Sequence, residues 1–181
     1  MNNQKIKNLT LSAMFLCIGY VLPFLTGQIK EIGSMLLPMH IPVLLAGFIC
    51  GWKYGLAVGF VLPLFRSFTL GMPVMYPGAV SMAFELATYG FLTGWLYSHS
   101  KWKCIKAVYR CLIFSMVAGR IVWGVAQIIL LGIKGGSFTF GMFFAGAVLN
   151  AVPGIIIQLI LIPVLMVALH RAKFVRFGRK E

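Results

Sequence analysis

Long apolar runs alternate with short polar connections along this chain. A helix rises about 1.5 Å per residue and the hydrocarbon core of a bilayer is about 30 Å thick, so a spanning helix needs about 20 mostly apolar residues. Six runs approach that length: Leu9 to Leu25, Leu36 to Cys50, Tyr54 to Leu70, Pro77 to Tyr97, Val108 to Ile133, and Gly141 to Leu169. The second is short and the last is long, and Gly and Pro interrupt several of them, as membrane helices tolerate. The pattern predicts an all-α membrane protein with six transmembrane helices, forming one integral membrane domain over residues 1–181.

Composition agrees with that pattern. Of 181 residues, 60% are hydrophobic and 10% charged, too apolar for an ordinary soluble domain. The net charge of +13 does not point to nucleic acid, because the basic residues fall in connections and at both ends, without a solvated basic face. Alternate connections hold Lys5 and Lys7, then Lys53, then Lys101, Lys103, Lys106 and Arg110, then Arg171, Lys173, Arg176, Arg179 and Lys180. The opposite connections hold Lys30 and Lys134 alone. By the positive-inside rule both termini are cytoplasmic, which makes this a multi-pass protein of a cell membrane, on this reading the bacterial plasma membrane. The first run lacks a small-x-small cleavage site, so it reads as a span and not as a signal peptide. Cys17, Cys50, Cys104 and Cys111 form no CxxC pair and read as small core residues, with no metal site expected.

Two basic residues, Arg66 and Arg120, remain inside spans, with one acidic residue, Glu85. Charged groups in hydrocarbon are costly and normally face a protein interior or cavity. The stretch Leu36 to Gly90 brings three such groups close in sequence: His40, Arg66 and Glu85. Counted from the outer boundary at about 1.5 Å per residue, Arg66 lies roughly 6 Å deep, Glu85 and Asn150 roughly 12 to 14 Å, and Arg120 near the midplane. Gln127 shares a helix face with Arg120 across two turns, with Trp123 between them. His40 opens the second span, and Tyr89 follows Glu85 by one turn. These eight residues are the candidate substrate-binding set: His40, Arg66, Glu85, Tyr89, Arg120, Trp123, Gln127 and Asn150. Each also has a plainer role open to it. Arg66 can snorkel to headgroups, Glu85 can form a structural ion pair with Arg120 or Arg66, and amides can bridge helices. The outer connections TGQIKEIGSM, GMPVMYP and KGGSFTF read as lids or as ordinary turns.

No GxxxxGK[ST] or HExxH motif occurs, the chain contains no Asp, and no internal repeat of the inverted-transporter kind is visible. An enzyme is not expected. Uphill transport would need an ATP-driven partner or a coupled ion. With its size, spans and outward polar cluster, the chain resembles the substrate-binding S component of an energy-coupling factor (ECF) vitamin transporter. The stretches LPMHIPVLLAGFICG, PLFRS, GMP and MAFELATYG are similar to those of a subgroup handling vitamin precursors, among them the dimethylbenzimidazole type. That resemblance implies a membrane coupling subunit and two ATPase subunits as partners, with ATP used by the partners and no cofactor on this chain. It also implies a small-residue contact on the first helix, here Ala13 and Cys17 with Ser12 alongside, where Cys replaces the family's Ala. The ligand it implies is a vitamin or precursor. Glu85 and Trp123 suit a small nitrogen heterocycle of the dimethylbenzimidazole, pyridoxine or hydroxymethylpyrimidine type, while Arg66 and Arg120 suit an anionic vitamin such as pantothenate. The rival readings are a membrane-embedded enzyme with Glu85 and His40 as acid and base, and a scaffold subunit without a ligand.

Overall fold

The computed structural model describes residues 3–26, 35–133, 135, 139–146, 151–175 and 177–179. In chain order the helices are α1 (Asn3–Val21), α2 (His40–Cys50), α3 (Trp52–Leu70), α4 (Val80–His99), α5 (Ile105–Ile133), the short α6 (Phe140–Phe144) and α7 (Val152–Arg171). A 3-10 turn, Leu22–Thr26, prolongs α1, and a π-type turn, Met75–Ala79, leads into α4.

Helix α2 is the axis of the molecule. Its sequence HIPVLLAGFIC is apolar all round, the pattern of a helix enclosed on every side, and ten of its 11 residues are buried. At about 16 Å long it falls well short of the hydrocarbon thickness. The run read as a second span is enclosed in the core, with α1, α3, α4 and α7 packed around it. Helix α5 packs on the far side of α4. Its outward stripe, Ile113, Phe114, Val117, Ile121, Val125 and Ile128, is at least half exposed at every position, as a lipid-facing stripe is.

The tightest helix pair is α3 with α4. The chain carries GLAVG at 55–59 and GFLTG at 90–94, small residues four apart that let two backbones approach closely. A Cβ added at Gly90 would stand 2.1 Å from the Gly55 carbonyl oxygen, and one at Gly59 would stand 2.3 Å from the Leu86 carbonyl oxygen.

Among the described residues, three helical segments are long and apolar enough to cross a membrane: Asn3–Phe24, Ile105–Ile133 and Val152–Arg171. Helices α3 and α4 also have the length, at 19 and 20 residues. The run expected over 141–169 is covered by α6 and α7, and residues 147–150 between them lie outside the described residues.

Both described ends of the chain meet at one end of the bundle. Asn8 Nδ2 donates to the Cys50 carbonyl at 3.3 Å, and Lys7 Nζ lies 5.7 Å from the centre of the Phe174 ring. Strand β1 (Trp102–Lys103) pairs antiparallel with β2 (Gly178–Arg179). At the opposite end, Tyr20 of α1 donates its hydroxyl to Thr69 of α3 at 3.2 Å.

Candidate functional site: a buried ion-pair cluster

Helices α4 and α5 run antiparallel, and polar side chains pair along their seam. Tyr76 donates to the Leu130 carbonyl, and Gln127 Nε2 donates to Ser81 Oγ at 3.0 Å. One step further in, Arg120 Nη1 meets Glu85 Oε1 at 3.0 Å. Beyond that pair, the Tyr89 ring lies against Gly119, where an added Cβ would stand 2.5 Å from a ring carbon. A bare backbone at Gly119 lets the tyrosine sit beside Arg120.

Glu85 is the centre of this seam. Its Oε1 accepts from Arg120, from the Tyr89 hydroxyl at 3.2 Å and from His40 Nε2 at 3.4 Å. His40, Glu85 and Tyr89 are each 1% exposed. His40 is the first residue of α2, and its ring meets that of Tyr89 edge-on with centroids 5.2 Å apart. Three elements thereby hold one carboxylate: α2 through His40, α4 through Tyr89 and α5 through Arg120. A buried carboxylate must be paired and hydrogen-bonded, and here both conditions are met. Capacity is left over on its partners. Arg120 Nε, Arg120 Nη2 and His40 Nδ1 are buried and have no hydrogen-bond partner among the described residues.

The other expected site residues fall in different places. Arg66 is buried, but its guanidinium donates to the Tyr20 carbonyl and lies 5.1 Å from the centre of the Phe24 ring. Those contacts tie α3 to the end of α1 and do not reach the Glu85 cluster. The physical reason is the orphan carbonyls at a helix C-terminus, which attract a cation. Trp123, one turn from Arg120, packs on Phe143 with centroids 6.3 Å apart and planes 30° from parallel. Gln127 bridges to Ser81, which in turn donates to the Gly78 carbonyl at 2.9 Å. Asn150 lies outside the described residues. On α1, Ala13 and Cys17 are exposed beside Met14 and Ile18, whereas Ser12 turns inward and donates to the Asn8 carbonyl at 2.6 Å. Ser12 therefore does not share the outward surface expected of it.

Residues 7–166 match the family of ECF transporter substrate-specific components. The chain belongs to that family. Substrate-specific components are membrane-embedded transport subunits that bind a substrate and work with coupling and ATPase subunits. Among curated proteins, the chain is also similar to cadaverine/lysine antiporters of Escherichia coli strain K12 and of two further strains of that species, each 28% identical over 168 residues. Those matches cover 86% of this chain and 35% of the relative, so the chain spans about a third of the length of the curated relatives it matches. No solved structure matches it.

Proposed function

We propose that this chain is the subunit of an ECF-type uptake transporter that captures a small vitamin or vitamin precursor at the Glu85–Arg120 cluster. The observation that carries this reading is the hydrogen-bonding capacity that Arg120 and His40 leave unused among the described residues, around a carboxylate whose Oε1 already accepts from three donors. A purely structural ion pair gains nothing from buried donors left without partners, since each such group carries a desolvation cost. A ligand that supplies the missing partners turns that cost into affinity.

The finer features of the ligand follow from the surrounding groups. Trp123 stands one turn along α5 from Arg120 and supports a flat ring, as in a small nitrogen heterocycle. In the tautomer whose Nε2–H donates to Glu85, His40 Nδ1 is an acceptor for a ligand N–H or O–H. The role first assigned to the carboxylate passes in this way to the histidine. A diamine such as cadaverine, named for the antiporter relatives, fits poorly beside a guanidinium whose counter-charge is already committed. In this reading ATP is used by two partner ATPase subunits, the chain itself holds no cofactor, and both termini face the cytoplasm of a bacterial cell.

A thermal-shift screen of vitamins and their precursors against the purified chain tests the proposal. A specific compound that raises the melting temperature, and whose effect is lost in Arg120→Gln, is the expected result. If no compound shifts a folded protein, the cluster is structural and the scaffold reading takes its place.

A further inference from the structure

Arg120 is held by Glu85 through one nitrogen, Nη1. Its Nε and Nη2 are buried and without hydrogen-bond partners among the described residues. These two nitrogens lie along one edge of the planar guanidinium, with their N–H bonds parallel. That edge matches the two oxygens of a carboxylate, which accept from it side by side. Glu85 and Arg120 thus differ in what they have left to offer. Glu85 Oε1 already accepts from three donors on three helices. Among the described residues nothing pairs with the Nε–Nη2 edge of Arg120, and the grip of Glu85 on Nη1 fixes the plane in which that edge points.

Resting on the reading that substrate seats at this cluster, we propose that the substrate is a small carboxylic acid, bound through both oxygens by Nε and Nη2 of Arg120. Glu85 is then a positioning residue that orients Arg120 through Nη1, and the Nε–Nη2 edge of the arginine is the group that selects the ligand. An amide or alcohol in place of the carboxylate presents one acceptor to a two-donor edge and leaves one N–H buried and unpaired, which is how a polar site rejects a near-isostere. Lysine at the same position offers a point charge without the planar fork.

The experiment uses the purified full chain and matched acid and neutral probes: nicotinate with nicotinamide, pantothenate with panthenol, and 4-pyridoxate with pyridoxine. The expected result is that at least one acid binds and its neutral counterpart binds on the order of 10- to 150-fold more weakly, the fold-change for one hydrogen bond to a charged group. In Arg120→Lys that acid preference collapses. A thermal melt of the variant establishes that it is folded, and if it is not, the acid-to-neutral ratio of the unaltered chain decides. Binding confined to neutral members, or an acid preference that survives Arg120→Lys in a folded protein, overturns the carboxylate assignment and leaves substrate capture standing. Binding of no probe in either class overturns both.

Discussion

At the scale of single residues, their partners separate two arginines that look alike in the sequence. Glu85→Gln removes the counter-charge of Arg120 in a buried setting, and breaking one side of such a pair costs about 3–5 kcal/mol. Melting of the purified variant should therefore fall well below that of the parent chain, and ligand affinity should fall with it because Arg120 loses its orientation. Arg66→Met should behave differently. It deletes the donor to the Tyr20 carbonyl, a charge-assisted bond worth about 1.5–3 kcal/mol, and should lower the melting temperature while titration shows ligand affinity unchanged. A loss of affinity in a stable Arg66→Met protein would return Arg66 to the site. Glu85 and Arg120 were legible in the sequence because a charge is expensive in hydrocarbon and must find a partner, whereas His40, at a span boundary, and Tyr89, one aromatic among many, were candidates that only the packing of α2 and α4 brings to the carboxylate. Arg66 satisfied the same criterion and went elsewhere. Depth along a helix can be counted from the sequence, but the neighbour on each side cannot, and an orphan carbonyl on α1 does not announce itself in a run of letters.

At the scale of elements, the helix pairs depend on what their surfaces lack. The approach of α3 to α4 leaves no room for a side chain at Gly90, so Gly90→Leu should separate the pair and abolish a monodisperse, folded protein in detergent. Gly132→Ala is the contrasting change. No described atom lies within 4 Å of the added Cβ in that case, and the helix propensity of Ala over Gly should hold stability or raise it by on the order of 1 kcal/mol, read as a melting temperature unchanged or higher. The repeat of small residues at 55–59 and 90–94 was present in the sequence, but glycine there reads first as an interruption of an apolar run. Its value as a contact surface shows only when the partner helix is known. The short run over 36–50 was legible as a helix for its apolar character, and its central position follows from being apolar on every face. The exposed pair Ala13 and Cys17 on α1 suits close docking of another helix. Ala13→Leu should impair uptake by the assembled transporter while leaving the affinity of the isolated chain intact. A fall in affinity with assembly preserved would place α1 in the pocket instead.

At the scale of the whole molecule, orientation and energy supply both rest on asymmetry between the two ends of the bundle. One end gathers Lys7, the close of α2, the β1–β2 pair and a cleft of about 480 Å³ whose walls include Lys101, Lys106 and Arg110. If the positive-inside rule holds for that end, reporter fusions at residue 100 and at the C-terminus should both read inside, and an outside signal from either would overturn the orientation proposed for the termini. Energy is the harder requirement. A substrate held by buried, paired charges is released against its binding energy, so accumulation requires work at each cycle. The sequence holds no phosphate-cradling GxxxxGK[ST] and no Asp to place a magnesium ion, and it has no inverted repeat with which to rock about a central site. Cells producing this chain alone should therefore bind labelled substrate at their surface without concentrating it. Adding the coupling subunit and both ATPase subunits should bring concentrative uptake, and a Walker-lysine substitution in the ATPases should remove it again while surface binding persists. Concentrative uptake by the chain on its own, insensitive to ATP depletion but abolished by collapsing the proton gradient, would mean that an ion gradient drives it, and the Glu85–His40 contact would then be the place to look for the coupled proton.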